Sequence, residues 1–490
     1  MKRFRLVATV LVFCTPAMLL AQATTPPPGV ESPAPNDVNG RLNRLEMEAQ
    51  ALRAEVQYLR DHPVPLPPVD AKPVGTIPDP AAASATVAAT PMSTQAAPEA
   101  SSGAGAGSEY YTIDELRDEM RKFAWRKGDF SIVPYGILWG NSVYDTERTS
   151  PAGYSYTLFA KSPSAGGVEN ECIVDARNTR LGVDVGGPQC SWLGGMQTGG
   201  KVEVDFQNSV LSTENKSTIL LRHAYAEATN DDWRLLAGQT WDVISPLNPD
   251  MLLYSVGWDG GNIGYRRAQL RAERYLHCSD TSLVTLQLSL NDQVFGDTTA
   301  TDVGTPSNWP IVEGRVAWTI GQRGMDCNPI IVGVSGHIGN VESETTTDIN
   351  VPRRTWSGNI DVRVPITERF GVQGECFVGE NLGAFLGGIG QGIDATTLNT
   401  IRDAGGWIEV WYDWTSWLHT HVGYSVDNPN DHDISTVGEK TYNQFYYGNV
   451  MYDVTKTCMV GFEVSSWETL YDGELPGDSV RCEFAVKYGF

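Results

Sequence analysis

The sequence predicts an all-β protein: a transmembrane antiparallel β-barrel of about 16 strands (16–18), preceded by a short coiled-coil helix, a disordered linker and one short helix. Three observations lead there. Glycine (50), Trp (14) and Tyr (19) are abundant while charged residues are only 19% of the 490, below the usual quarter. Beyond residue 128 helical periodicity gives way to odd/even alternation between turn clusters. After the N-terminus no uninterrupted apolar stretch of about 20 residues recurs, so a membrane-embedded mature chain must be a closed barrel. The mean hydropathy of -0.24 also excludes a helical membrane protein. With 36 Lys+Arg against 59 Asp+Glu, a formal charge of -23, the chain lacks the basic face that nucleic acid requires.

The first element is an export signal over 1–23. Lys2, Arg3 and Arg5 precede a largely apolar Leu6–Leu20, and Ala21-Gln22-Ala23 supplies a small-x-small cleavage site. The apolar run is too short to span a bilayer comfortably, and the bulky Phe13 argues against lipidation of Cys14. Removal takes three cations and no acids, so -23 becomes -26. Eight Cys become seven, leaving at least one unpaired or paired between chains. Cys172 with Cys190 could close one loop, and Cys278 and Cys327 lie in turn-like sequence; scattered thiols are the simpler expectation. No CxxC or Cys/His spacing calls for a metal, and no cofactor signature is present.

Residues 24–37 read as disordered. Over 38–60, Val38, Leu42, Leu45, Ala49, Leu52, Val56 and Leu59 form an a/d seam with Arg and Glu on the other faces. A single amphipathic helix would show the same spacing, but the flanks offer no surface to pack on. Three heptads are marginal alone and make sense where something else holds protomers together. Residues 61–108 contain 9 Pro and 12 Ala and end in Gly/Ala/Ser. This linker could reach on the order of 100 Å. Thr112-Ile113-Asp114-Glu115 is a capping box, predicting a short helix within 109–127, from Ile113 to about Arg126, ended by Gly128.

The barrel pore domain is expected over 128–490. At its C-terminal end Val480, Cys482, Phe484, Val486, Tyr488 and Phe490 share one parity, and Arg481, Glu483, Ala485, Lys487 and Gly489 the other. A strand puts these sets on opposite faces. A half-buried sandwich strand would alternate too, but a terminal Phe on an aromatic-rich strand resembles the signal of outer-membrane barrels. The hairpin around Thr415-Ser416 repeats the pattern: Ile408, Val410 and Tyr412 oppose Glu409, Trp411 and Asp413. Trp407, Trp414 and Trp417, with Tyr488 and Phe490, are expected in the aromatic girdle at the lipid–water boundary. Short turns on one side oppose long stretches at 141–167, 298–309, 342–353, 379–400 and 427–441, the loop asymmetry of such barrels. The 362 residues from 129 to 490 give roughly 20–23 per strand for 16–18 strands, including loops.

Leu221-Arg222-His223-Ala224-Tyr225-Ala226-Glu227, Leu235-Leu236-Ala237-Gly238-Gln239-Thr240-Trp241-Asp242 and Gly264-Tyr265-Arg266-Arg267-Ala268-Gln269-Leu270-Arg271 resemble the DcaP-like porins of the bacterial outer membrane. Weaker similarity extends over 354–391. The resemblance implies a trimer of 16-stranded barrels with an N-terminal coiled coil, and arginines on the pore wall. The Pro-rich linker, the capped helix and the high Trp content depart from that family.

These readings point to passive diffusion of small hydrophilic solutes through a wet barrel. Arg222, Arg267, Gln269, Arg271 and Glu273 are candidates for the constriction, the last four forming a one-faced ladder. Solvated lumen residues away from any constriction would look the same. An inward-folded loop would supply the acidic partner, with Asp242, Asp250 and Asp259 in 242–262 as candidates. A basic ladder favours small anions or organic acids, because charge at the narrowest point decides while long loops can hold the net acidity elsewhere. Expected partners are outer-membrane lipid, two further copies of the chain and, through the N-terminal segment, the cell wall. Tethering to that wall is the alternative role. A barrel enzyme is a minor one: Asp431-His432-Asp433 sits in a loop, His419 and His421 share a face that could bind metal adventitiously, and no G-x-S-x-G elbow appears.

Overall fold

In the computed structural model, residues 124–150, 157–167, 169–208, 218–292, 309–323, 328–343 and 351–490 are described. The chain divides into units Met1–Pro91 and Met92–Phe490, and all described residues belong to the second. The export signal, the coiled-coil seam, the linker and most of the short helix lie outside them.

Twenty strands are present among the described residues. They are β1 (Trp125–Lys127), β2 (Phe130–Asp145), β3 (Thr149–Ser150), β4 (Phe159–Ala160), β5 (Glu171–Asp175), β6 (Arg180–Cys190) and β7 (Met196–Asn208). There follow β8 (Thr218–Thr229), β9 (Trp233–Trp241), β10 (Arg266–Ser279), β11 (Ser282–Asn291), β12 (Ile311–Ile320), β13 (Ile330–Ser343) and β14 (Val351–Pro365). The last are β15 (Phe370–Glu380), β16 (Arg402–Thr415), β17 (Leu418–Pro429), β18 (Lys440–Thr455), β19 (Cys458–Tyr471) and β20 (Gly477–Gly489). From β6 onward each pairs antiparallel with the next, and β2 pairs with both β20 and β6. Because β5 and β6 both pair with β2, at 141–145 and 131–137, they are two halves of one wall strand. The result is a closed antiparallel barrel of 16 wall strands.

Side-chain parity builds the wall as expected. Leu270, Leu288, Val316, Val334, Val422, Phe462 and Phe484 face out, while Gln269, Glu313, Ser335, His421, Glu463 and Glu483 are buried inside. Moving a fully exposed Leu, Val or Phe from water to hydrocarbon is worth about 1.5–3 kcal/mol, so this belt fits an oily surround. The seam is closed by more than ladder bonds. Arg481 on β20 donates twice to Asp145 on β2, at 2.8 and 2.7 Å. Gly136 and Phe490 exchange reciprocal backbone hydrogen bonds of 3.0 Å, and a Cβ at Gly136 would stand 2.4 Å from the Phe490 ring.

Several expectations are corrected. Trp125–Lys127 is a strand paired with Phe130–Ile132 across the left-handed Gly128, not the end of a helix. Cys172 and Cys190 do not close a loop: both are free thiols, as are Cys278, Cys458 and Cys482, which is the simpler of the two expectations. Strand β2 runs to Asp145, β13 to Ser343 and β14 begins at Val351, so parts of the predicted loops are wall: ladder pairing continues as far as a partner strand is present. The bore is also not uniformly polar. Trp139, Trp411, Phe445, Met451, Met459 and Trp467 point inward and are buried. Trp139, Phe445, Met451, Met459 and Trp467 are covered by a segment inside the barrel, described next. Some of these large rings lie flat over glycines of the adjacent strand, as Trp411 over Gly371 and Tyr447 over Gly423, where any Cβ would collide.

Candidate functional site

The connection 242–265 between β9 and β10 folds into the lumen. Val243, Ile244, Leu247, Met251, Leu252, Leu253, Tyr254, Trp258 and Ile263 are all buried. Leu253, Tyr254 and Trp258 pack on Phe445, Tyr447 and Trp467, and Leu252 on Trp139, Met451 and Met459. The apolar side of the segment thus meets the apolar arc of the wall. A second insert, 381–401, joins Leu382, Phe385 and Ile389 to Ile244 and Ile263.

Placing bare backbone in the lumen leaves N–H groups that need acceptors. Wall glutamates supply them in order around the barrel. Val243 donates to Glu313 on β12 at 2.9 Å, Leu247 to Glu375 on β15 at 2.7 Å, Asp250 to Glu409 on β16 at 2.6 Å and Leu252 to Glu463 on β19 at 2.9 Å. Sequence reasoning missed all four. Their inward parity was legible in the alternation, but an inward Glu looks the same whether it lines water or receives a loop.

The second insert is held by its own turn. Gly388, Ile389 and Gly390 have consecutive φ values of +64°, +55° and +71°. This left-handed run lets successive N–H groups converge on acceptors: Gly388 donates to Asp403 at 2.7 Å and Ile389 to Asp427 at 3.2 Å. In the outer part of this insert, Asp394 accepts from the N–H groups of Thr397 and Ser435 at 2.6 and 2.8 Å and from both their hydroxyls. Burial alone would raise the Asp394 carboxyl, but these donors outweigh it and hold it well below its ordinary 3.8.

Between the first insert and the wall strands β7–β11 a partly open gap remains. Lys201, His223, Tyr225, Arg234, Arg271 and Gln287 line its wall side, and 242–246, Asn248 and 263–265 its inner side. Of the expected constriction, Arg271 borders the gap. It lies 3.4 Å from Glu273 and donates to the Gln269 amide oxygen at 2.8 Å. Glu273 is also 3.5 Å from Arg234. Arg267 turns to Asp242 at 2.7 Å and stacks over Phe385 at 4.0 Å. Arg222 is fixed by Glu203 at 2.6 Å and Asp205 at 2.8 Å. Lys201, His223 and Arg234 were not singled out from sequence, although the inward parity of Lys201 and Arg234 was available; His223 joins Arg222 inside through a register shift in the β7–β8 ladder.

The acidic side differs from expectation. Asp242 meets the ladder at its Arg267 end, 2.7 Å away, but the other two candidates do not. Asp259 lies by the second insert, taking the backbone N–H of Gly390. Asp250 lies against β15–β17, with Gln373, Glu409 and His421. Of the expected girdle, Trp414, Trp417, Tyr488 and Phe490 are exposed on the outer face, whereas Trp407 is buried in the bore. Trp407 has the parity of Glu409, two residues on, and that phase outranks the preference of Trp for interfaces.

A closed wall, an oil-facing belt and a charged gap narrowed by an inserted segment define a β-barrel of the outer-membrane type. The chain matches no protein-family model and no curated protein. Among solved structures it is similar to the outer membrane channel DcaP of Acinetobacter baumannii, at 18% identity over 74% of this chain and 99% of that one, with a TM-score of 0.59. Salmonella typhi OmpF in complex with daunomycin aligns at 11% identity, 75% and 100% coverage and a TM-score of 0.49. An anion-selective porin from Comamonas acidovorans aligns at 10%, 74% and 100%, and 0.48. The likeness to DcaP establishes a shared barrel fold.

Proposed function

We propose that this chain is an outer-membrane porin that passes small hydrophilic solutes, favouring small anions and organic acids, and works as a homotrimer. The observation that carries the sign is the asymmetry of the gap. Lys201, Arg234 and Arg271 line it together with Asp242, whose charge Arg267 neutralises at 2.7 Å, while Asp250 and Asp259 lie on the far side. A pore reads the charge at its narrowest point, where low-dielectric walls concentrate the field. The inserted segment narrows the lumen, and its glutamate ties keep the opening at a fixed size.

Planar-bilayer recording tests this. Reconstituted protein should give stepwise conductance in groups of three, with a reversal potential under a salt gradient of the sign for anions. Arg271→Glu should move that potential toward cations; an unchanged value would remove the gap from the permeation path. The heptad over 38–60 also supports a tethering role that is compatible with transport. Deleting 24–108 should then reduce co-sedimentation with the cell wall while leaving conductance intact.

A further inference from the structure

His421 on β17 does not face open water. Its side chain is fully buried, with Nδ1 3.2 Å from Glu409 Oε1 and 3.7 Å from Asp250 Oδ2. Its Nε2 has no hydrogen-bond partner, so the ring's polar engagement is with these two carboxylates. The three groups come from three places: the inserted segment, β16 and β17. Their donor atoms all lie within 4.8 Å of one another. A tetrahedral ion with bonds of about 2.0–2.1 Å holds its ligand atoms about 3.3 Å apart, and the 3.2 and 3.7 Å separations bracket that edge. The roles of the oxygens are already divided. Glu409 Oε2 takes the Asp250 N–H at 2.6 Å and the Tyr447 hydroxyl at 2.5 Å. Oε1 faces His421 and the Gln373 amide, and Gln373 Nε2 bridges Oε1 (2.9 Å) and Asp250 Oδ2 (3.3 Å). Two donors therefore converge on the same pair of carboxylate oxygens, at a place that attracts positive charge.

We propose that Asp250, Glu409 and His421 form a binding site for a divalent transition ion, of which Zn²⁺ is the probe. One imidazole with two carboxylates suits zinc and is poor for calcium, which takes oxygen ligands alone. The ion binds Nδ1 in its deprotonated form, takes one oxygen from each carboxylate and displaces the Gln373 amide. Water completes the shell. Because Asp250 belongs to the inserted segment and the other two to the wall, the ion pins the segment at its midpoint. This inference goes beyond the channel reading and does not rest on it.

The test is Zn²⁺ titration of the full chain, folded in detergent, by calorimetry, with heat-modifiable gel mobility confirming that each variant is folded. Wild type should bind one Zn²⁺ per chain. Asp250→Asn, isosteric and on the segment, should weaken binding roughly tenfold or more, as should His421→Gln, since each removes a ligand. His419→Gln, on the same strand face but beside Asp413 and Asp453, should bind as wild type does. Absence of Zn²⁺ binding to the wild type overturns the proposal. So does a folded Asp250→Asn that binds with unchanged affinity, or a Ca²⁺ affinity equal to that for Zn²⁺.

Discussion

Arg266 and Arg267 are adjacent, both buried, and held in opposite ways. Arg267 is paired with Asp242 at 2.7 Å. All three guanidinium nitrogens of Arg266 lack hydrogen-bond partners, and the group rests on the rings of Trp241 (4.7 Å), Tyr265 (4.8 Å) and Trp258 (5.6 Å). Removing one member of a buried pair strands the other charge, at a cost of about 3–5 kcal/mol, whereas exchanging a buried charge that has no ion-pair partner for an apolar group of similar volume strands nothing and relieves that charge's own desolvation. Arg267→Met should therefore lower stability by about that amount, and Arg266→Met should leave it unchanged or raise it, read by urea unfolding in detergent. Asp394 offers a titratable counterpart. Its carboxyl is depressed in the folded state, so its contribution is fully present above about pH 4 and is lost as pH falls through the lower, folded value. The thermal midpoint of the wild type should exceed that of Asp394→Asn at pH 6. The difference should close in strong acid; a difference independent of pH would show that the carboxylate charge does not hold 394–397 to Ser435.

The inserted segment 242–265 is the element that turns a wide bore into a narrow one. It has no regular secondary structure, so its order comes from two sources: apolar packing on Trp139, Phe445 and Trp467, and the four glutamate ties. Replacing 247–258 by a short Gly/Ser link should at least double single-channel conductance and weaken ion selectivity. It should also expose the inward aromatic arc to water and lower the thermal midpoint. The glutamate ties act together, so Glu463→Ala alone should loosen the segment near Leu252 and be read as faster amide exchange over 251–254, with Val243 protected as before.

At the scale of the molecule, barrel closure depends on one seam. The β2–β20 ladder brings Ile137 opposite Gly489 and Asp145 opposite Arg481, joining residues more than 300 positions apart. Such a contact pays its loop-closure entropy late in folding. Gly136→Val would drive a side chain into the Phe490 ring, and should lower the yield of heat-modifiable, folded barrel. A yield equal to wild type would show that the seam tolerates displacement of Phe490. A parallel substitution at Gly140, where a Cβ meets nothing within 4 Å, should have little effect.

Alternation along the chain by itself determined the architecture. Strands such as Val480–Phe490 and Ile408–Tyr412 have a period of two, and that period assigns each residue to one face before any partner is known. It also placed Arg267, Gln269, Arg271 and Glu273 on one inner face, and it contained the inward phase of Trp407, Lys201 and Arg234. What only the tertiary structure decided is what those inner faces meet. The inward Phe445, Met451 and Trp467 look misplaced until 242–265 covers them, and Glu313, Glu375, Glu409 and Glu463 look like pore lining until they receive its N–H groups. The physical reason is distance along the chain. Parity is a local property of a strand, whereas the partners of Asp250, Glu409 and His421 are set by how the wall curves and by where one irregular segment crosses it.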